Sequence, residues 1–382
     1  MADERAMANE SAAPLIECFE GLPDPRDAHG RRHKLIDVVV IAVCATICGA
    51  DGFIDMEEFG HSREDWLRTF LELPHGIPSH DTIGRVFAAL EPTEFAMCLG
   101  HWVTSVATTL ARQVVGIDGK KLRRSFDKAN AQAALNIVSA WASEHRMTLG
   151  QVKVSADSNE ITAVPELLRV LDLAGCIVTL DALHTQKEVV TRIAAKGADY
   201  VVALKDNHPT LKEEVATMLT NVREGRTAGY TVSRHHTLEK EHGRIETRRI
   251  WQVEVPPGRL PEQSEWAGLK SVAVVQAVRE VGTKVSREER YYLSSLPADA
   301  EQIAQVIRDR WKIENSCHWV LDVVFREDDS RVRVGNAAEN FAVVRRWALS
   351  LLQQERSTPR SIKTKRLKAA LDLNYLLKVL QC

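Results

Sequence analysis

The chain has 382 residues, 45% of them hydrophobic, which is enough for two or three domains and a sizeable core. Its formal net charge of −2 gives no global basic signal, so binding to a phosphate backbone would require local basic patches. The seven cysteines form neither a disulfide framework nor a zinc-ligand spacing, which indicates reduced thiols in a cytosolic protein.

Residues 1–112 are predicted to form a helical N-terminal domain. The first 13 or so residues carry acidic side chains and lack an apolar run, so we expect a disordered leader and no signal peptide. The apolar segment 35–50 contains Asp37 and is shorter than the about 20 residues that a membrane span requires. We therefore predict a buried helix that ends at Gly49, and no membrane association.

Two further helices are predicted over 55–72 and 76–90, on either side of a Gly/Pro turn. Ser79 is the expected cap of the second helix, and polar residues follow at His80, Asp81, Thr82 and Arg85. This pattern fits a helix-turn-helix unit that places those residues in a DNA groove, and it also fits an ordinary helical hairpin. A helix over 92–112 completes the domain.

The segment 113–206 is predicted to form a mixed sheet with helices on its faces, which is the α/β class. The pattern favours strands over 114–121, 133–141, 148–154, 176–182 and 200–205, and helices over 160–173 and 185–196.

The segment 207–298 is predicted to be a β-rich insertion. After a helix over 209–222, strands are favoured over 231–240, 245–255, 269–280 and 287–296. The interval between Asp181 and Glu314 is much longer than that between Asp118 and Asp181, and a plain core would not need that length.

The remaining chain is predicted to be helical. One amphipathic helix over about 303–325 carries Arg310 and Glu314 one turn apart, and a helix over 336–353 completes the segment 299–353. The tail, 354–382, has a basic stretch and a last helix over about 365–380. Contact with a DNA backbone or simple solvation would both explain the basic stretch.

Three acidic residues are candidate metal ligands. Asp118 and Asp181 each end a run of apolar strand residues, where core packing gives no reason for a carboxylate, and Glu314 lies in a predicted helix. The alternative for Glu314 is a helix salt bridge with Arg310. Carboxylate oxygens suit Mg²⁺ or Mn²⁺, and two such ions about 4 Å apart can drive phosphodiester displacement.

The sequence resembles the DDE transposases of bacterial insertion sequences and, among these, the H-repeat-associated branch. Six motifs in order carry the resemblance: GIDGKKLRRS (116–125), SNEITAVPELL (158–168), IVTLDA (177–182), GADYVVALKDN (197–207), HGRIETR (242–248) and RWKIENSCHWVLDVVFRED (310–328). Related transposases often show Tyr, Arg, Glu and Lys at fixed spacing in the last motif. Arg310 and Glu314 keep that spacing, whereas Ile307 and Leu321 occupy the Tyr and Lys positions, and Asp157 replaces a usual Lys.

The resemblance implies an RNase H-like catalytic core in which Asp118, Asp181 and Glu314 hold two Mg²⁺ ions, with Mn²⁺ as a substitute. It implies hydrolysis at the ends of a DNA element followed by strand transfer into target DNA. Its expected partners are double-stranded DNA with terminal repeats, target DNA and a second copy of the chain bound to DNA. The expected location is the bacterial cytoplasm, at the nucleoid.

Several residues beside the carboxylates are expected to contact DNA. The candidates are Arg310, Asn315, Lys120, Lys121, Arg123, Arg124, His242, Arg244 and Arg248. A solvated turn would equally explain the four cations that follow Asp118, and a surface charge ladder would equally explain the HGRIETR motif.

Three other functions are compatible with parts of the sequence. The missing Tyr and Lys of the signature would suit a catalytically inactive DNA-binding relative. A domesticated nuclease would hydrolyse DNA without joining it. A small-molecule α/β enzyme fits least, because the sequence shows neither a glycine-rich phosphate loop nor a nucleophile elbow.

Overall fold

The computed structural model describes residues 15–106, 112–126, 133–155, 160–241 and 243–382. The predicted leader and His242 lie outside the described residues. The chain divides into two compact units, one formed by residues 1–109, 119–159 and 314–382 and the other by residues 110–118 and 160–313. We call them the helical unit and the sheet unit.

Within the described residues the elements follow the predicted order closely. The α-helices are α1 (Leu35–Cys48), α2 (Phe53–Ser62), α3 (Glu64–Leu67), α4 (His80–Ala89), α5 (Pro92–Val106), α6 (Glu160–Val170), α7 (Lys187–Ala195), α8 (Pro209–Arg223), α9 (Ala300–Lys312), α10 (Trp319–Val323), α11 (Ala337–Gln354), α12 (Ile362–Leu371) and α13 (Leu373–Leu380). The strands are β1 (Val114–Lys121), β2 (Asn136–Ala142), β3 (Met147–Lys153), β4 (Ile177–Leu180), β5 (Asp199–Leu204), β6 (Val232–Glu241), β7 (Arg244–Glu254), β8 (Ser271–Val281) and β9 (Lys284–Ser294).

The helical unit is built around α1 and α11. The predicted buried helix is confirmed as α1, whose residues from Val38 to Ile47 are buried. Asp37 is tolerated in its first turn because its carboxylate accepts a hydrogen bond from the Leu73 N–H at 3.0 Å. Helix α11 is buried along almost its whole length and packs against α1, β3 and α4. The hairpin of β2 and β3 belongs to the same unit.

Among the described residues, no single helix has both the length and the apolar character needed to cross a membrane. Helices α1 and α2 meet those criteria only when taken together, and the chain bends by 94° between them.

The predicted cap of α4 is confirmed. Ser79 Oγ accepts a hydrogen bond from the Thr82 N–H, and His80 Nδ1 lies 2.5 Å from Glu57 Oε2 of α2. At the other end, the Asn340 side chain donates to the carbonyls of Phe87 and Leu90. These contacts fix α4 in the helical unit, and its role as a DNA reader stays a prediction.

The sheet unit contains a mixed sheet in the order β1, β4, β5, β9, β8, β7, β6. The pairs β1–β4 and β4–β5 are parallel, and the later pairs are antiparallel. The predicted α/β class and the four strands predicted over 231–296 are confirmed. These four strands extend the same sheet because β9 pairs with β5.

Helix α9 covers one face of this sheet. Its buried residues Ile303 and Val306 share a hydrophobic cluster with Ala203 of β5 and Val275 of β8. The helix begins at Asp299, whose side chain accepts from the N–H groups of Glu301 and Gln302.

Three predicted helices differ from the structure. The helix over 303–325 is instead α9, a π-helical segment Ile313–His318 and α10. The helix over 55–72 breaks at Arg63 and ends at Leu67. The last helix is divided at Asp372, because the side chain of this residue accepts from the first N–H groups of α13 and begins a new helix there.

Candidate active site

Two aspartates lie side by side on neighbouring parallel strands, Asp118 within β1 and Asp181 directly after β4. β1 and β4 are in register up to Ile117 and Leu180, and the next residues are Asp118 and Asp181. Asp181 has an extended backbone, with φ −74° and ψ 163°, so it continues the line of β4. Neighbouring strands are about 4.8 Å apart, and residues in register project from the same face. The two carboxylates therefore share one edge and one face of the sheet.

Gly116 shows that α9 lies on this same face. Gly116 precedes Asp118 by two residues, so both face the same side of β1. A Cβ atom placed on Gly116 would lie 3.5 Å from Ile313 Cγ2 and 3.6 Å from the Arg310 carbonyl oxygen. These are ordinary van der Waals distances, so the end of α9 packs on the face of β1 that carries Asp118.

Two cations approach Asp181. Lys205 Nζ lies 3.5 Å from Asp181 Oδ1, and Arg310 Nη2 lies 3.8 Å from the same oxygen. Burial alone would raise the pKa of Asp181, but the hydrogen bond from the Ala182 N–H and the charges of Arg310 and Lys205 outweigh it and hold the pKa below its usual value. The Asp181 carboxylate is therefore ionised at neutral pH.

The turn after Asp181 is held by residues that the sequence analysis did not single out. The Asn207 side chain donates to the Ala182 carbonyl at 2.8 Å, and the Thr185 hydroxyl donates to the Ala203 carbonyl at 2.7 Å. Lys205 and Asn207 both belong to the GADYVVALKDN motif, and this motif is the sequence signal for their position next to Asp181.

His184 on the same turn forms a pair with Glu160 of α6, and neither residue is among the site residues predicted from the sequence. His184 is buried, and its Nε2 atom lies 3.5 Å from Glu160 Oε2 at the start of α6. Burial lowers the pKa of His184, which opposes the effect of the Glu160 carboxylate, so the imidazole is neutral at pH 7. Glu160 belongs to the SNEITAVPELL motif, so again a motif was the available signal.

Glu314 follows Ile313 in the chain and belongs to the helical unit. It is partly exposed and lies in the π-helical segment Ile313–His318. The Gln353 side chain of α11 donates to the Ser316 carbonyl at 2.8 Å and fixes this segment. Such π-helical turns are rare and occur frequently at functional sites.

Among the described residues, no three His, Cys, Asp or Glu side chains form a cluster that could hold a metal ion. Asp118 and Asp181 nevertheless supply the hard oxygen donors that Mg²⁺ and Mn²⁺ prefer. Their donor set fits these ions, and an ion beside Asp181 would meet an already ionised carboxylate.

The structure places the Lys120 ammonium among carboxylates and away from solvent. Lys120 is only 7% exposed, and its Nζ atom lies 2.6 Å from Asp322, 3.3 Å from Glu327 and 3.3 Å from Asp328. Burial would lower the pKa of Lys120, but these carboxylates outweigh that effect and raise it. Lys120 is a buried ion-pair partner within the helical unit, because three carboxylates already surround its ammonium.

The neighbouring cations are available to solvent. Lys121 is exposed, and so are Arg123 and Arg124, which also pair with Asp328 and Asp329 at 3.1 and 3.6 Å. Asn315 is exposed as well. Their contact with DNA stays a prediction.

Three residues of the HGRIETR motif, Arg244, Glu246 and Arg248, lie on β7 on the face of the sheet that carries Asp181. The Arg248 guanidinium lies 2.6 Å from Glu246 and 3.5 Å from Glu239, and Arg244 lies 3.4 Å from Glu246. Four strand spacings separate β4 from β7, which is about 19 Å across the sheet. Arg248 is also four residues away from Gln252, the β7 residue in line with Asp181, so Arg248 and Asp181 are more than about 19 Å apart. Any contact of these arginines with DNA would thus be far from the two aspartates.

Ile307 and Leu321, which replace the Tyr and Lys common in related transposases, pack in hydrophobic clusters. Ile307 packs against the cluster beneath α9, and Leu321 is fully buried in α10. Neither position can supply a polar contact to a ligand.

Comparison with protein families gives two adjacent matches. The family described as Transposase DDE domain matches residues 104–351, and the family described as DDE_Tnp_1-associated matches residues 16–103.

Three bacterial relatives match almost the whole chain. The "H repeat-associated putative transposase YhhI" of Escherichia coli (strain K12) is 38% identical over 372 residues, which are 96% of this chain and 97% of the relative. The "Putative protein YbfL" of the same strain is 37% identical over 372 residues, again 96% and 97%. The "Putative transposase YncI" of Escherichia coli O157:H7 is 39% identical over 377 residues, 97% of this chain and 95% of the relative.

Proposed function

This chain belongs to the DDE transposase family, in its H-repeat-associated branch, and we propose that it cuts phosphodiester bonds at the ends of a DNA element and joins those ends to target DNA. The family implies a DNA substrate and divalent metal ions. The observation that carries the proposal is the parallel register that sets Asp118 beside Asp181, on the face that also presents Arg310 and Lys205.

In this proposal the strands β1 to β5 belong to an RNase H-like core, and Glu314 is the third carboxylate. Asp118, Asp181 and Glu314 would hold two Mg²⁺ ions, which Mn²⁺ could replace. Bound divalent ions supply Lewis-acid activation of the attacking oxygen and stabilise charge on the leaving oxygen. The low pKa of Asp181 keeps this carboxylate ready to bind an ion without first releasing a proton.

The same protein groups would serve both steps. Water first attacks the phosphodiester at the element end and leaves a 3′-hydroxyl, and this hydroxyl then attacks a phosphodiester of the target DNA. Arg310 neutralises phosphate charge beside the carboxylates, and Asn315 orients the strand. The chain needs no covalent intermediate with DNA, in keeping with the lack of a recognisable Tyr or Ser nucleophile motif.

Exposed cations away from the carboxylates would bind the DNA backbone. Lys121, Arg123 and Arg124 would contact phosphates after β1. Arg244 and Arg248 on β7, and His242 of the same motif, would contact DNA away from the two aspartates. Pairing of two element ends calls for a dimer of this chain on DNA.

The test is cleavage and joining of DNA that carries the sequences flanking the gene. We expect Asp118→Ala, Asp181→Ala and Glu314→Ala to abolish both reactions in Mg²⁺ and in Mn²⁺ while DNA binding remains. Asp206→Ala is the matched control, because Asp206 is 90% exposed beside Lys205 and pairs with Lys212. Activity that survives one of the three substitutions would remove that residue from the site.

A second candidate function is a catalytically inactive DNA-binding relative. The observation that favours it is that Ile307, which is partly buried, and Leu321, which is fully buried, stand where related transposases often have Tyr and Lys. A wild-type protein that binds element ends but cuts them in neither Mg²⁺ nor Mn²⁺ would establish this function. Nicks without joined products would instead indicate a domesticated nuclease.

A further inference from the structure

Glu160 and His184 form a carboxylate–imidazole pair behind Asp181. The His184 ring is 1% exposed, and its Nε2 atom lies 3.5 Å from Glu160 Oε2. Both residues belong to the sheet unit, as does Asp181. A buried imidazole N–H requires an acceptor, and the first residue of α6 supplies it.

The pair is connected to Asp181 through a short turn. Asp181 is the residue before the 3-10 turn Ala182–His184, and its backbone carbonyl accepts from the His184 N–H at 2.9 Å. The Asp181 carboxylate accepts from the Ala182 N–H in the same turn. A shift of His184 would therefore move both the backbone and the hydrogen-bond donor that orient the Asp181 side chain.

The turn has anchors on two sides. Asn207 and Thr185 hold it to β5, through the Ala182 and Ala203 carbonyls. Glu160 is the anchor on the α6 side, through His184.

We infer that Glu160 is a positioning residue for the metal-binding carboxylate of Asp181 and that it acts through His184. The inference rests on the proposed function, since it assigns a purpose to Glu160 only if Asp181 binds a metal ion. Partners behind a ligating carboxylate fix its direction, and their loss typically lowers metal affinity or activity about 10- to 100-fold.

The test compares Glu160→Ala with Glu166→Ala, an exposed glutamate on the same helix. The readout is Mn²⁺ binding to the full-length protein on duplex DNA, measured from the free Mn²⁺ signal in electron paramagnetic resonance. We expect Mn²⁺ affinity to fall about 10- to 100-fold in Glu160→Ala and to stay at the wild-type value in Glu166→Ala. Glu160→Gln should restore most of the affinity, because its amide oxygen still accepts from Nε2–H.

If Glu160→Ala does not fold, a second variant tests the same inference. His184→Asn removes Nε2 and should reduce Mn²⁺ affinity to the same extent. Adding Glu160→Ala to His184→Asn should then have no further effect on Mn²⁺ affinity, because Glu160 acts through the imidazole.

Two outcomes overturn the inference alone while leaving the proposed function intact. One is a folded Glu160→Ala variant with the Mn²⁺ affinity of Glu166→Ala, which would make the pair an ordinary packing contact. The other is additive loss in the double variant, which would separate Glu160 from His184. Wild-type Mn²⁺ binding that Asp181→Ala leaves unchanged would overturn both the inference and the proposed metal site.

Discussion

Two adjacent lysines on β1 are expected to respond in opposite ways to the same substitution. Lys120 is buried among Asp322, Glu327 and Asp328, whereas Lys121 is exposed. Replacing either lysine with methionine removes the ammonium and keeps most of the aliphatic stem, so packing changes little. Comparing the two variants therefore distinguishes a lysine that stabilises the fold, Lys120, from one that is proposed to bind DNA, Lys121.

The structure sets the size of the effect at Lys120. Removing one partner of a buried ion pair costs about 3–5 kcal/mol, because the other charge is left buried and unpaired. Here Glu327 keeps Arg346 at 2.9 Å, and Asp328 keeps Arg123 at 3.1 Å. Asp322 is 35% exposed, so water can reach its carboxylate. The free energy of unfolding should therefore fall by about 3 kcal/mol, the lower end of that range.

Two measurements on each variant test this reasoning. In urea denaturation at pH 7, Lys120→Met should lose about 3 kcal/mol, whereas Lys121→Met should stay within about 0.5 kcal/mol of the wild type. In DNA binding at several salt concentrations, Lys121→Met should reduce the slope of log K against log salt by about 0.9, the value for one phosphate contact. Lys120→Met should leave that slope unchanged.

The reasoning would be refuted if Lys120→Met reduced the salt slope and left the free energy of unfolding unchanged. That result would mean that the Lys120 ammonium leaves the carboxylates and binds DNA. An unchanged slope for Lys121→Met would remove only Lys121 from the DNA-binding residues.

Two further substitutions test the packing of the helical unit. Burial would raise the pKa of Glu327, but Arg346, Lys120 and Arg345 outweigh it and lower the pKa to about 2, so Glu327→Gln should cost about 3 kcal/mol at pH 7. Because the pKa of Glu327 is lower in the folded state, its contribution to stability is present above the unfolded pKa of 4.5 and is lost as the pH falls towards 2. In urea denaturation across that pH range, the free energies of unfolding of the variant and the wild type should therefore converge. Gly335 has φ +52°, and an added Cβ would lie 2.6 Å from the Ala88 carbonyl oxygen. Gly335→Ala should therefore lower the free energy of unfolding by more than about 1 kcal/mol in the same assay. An unchanged free energy of unfolding would contradict this close approach.

Local pattern in the sequence was enough for the type and order of most elements. Segments rich in strand-favouring residues predict β6 to β9, and an unbroken apolar run predicts α1, because these signals are local to each segment. The Ser79 cap is equally local, since it involves an N–H only three residues away. Asp118 and Asp181 stand out in the sequence because each directly follows a run of apolar residues.

Only the tertiary structure decided what those residues meet. Parallel pairing of β1 with β4 sets Asp118 beside Asp181, and β5 brings Lys205 to the same carboxylate. The sequence treats Lys120 and Lys121 as equal cations, yet distant carboxylates bury one and leave the other exposed. The physical reason is that strand pairing and charge burial depend on groups far apart in the chain, whereas periodicity describes each segment alone.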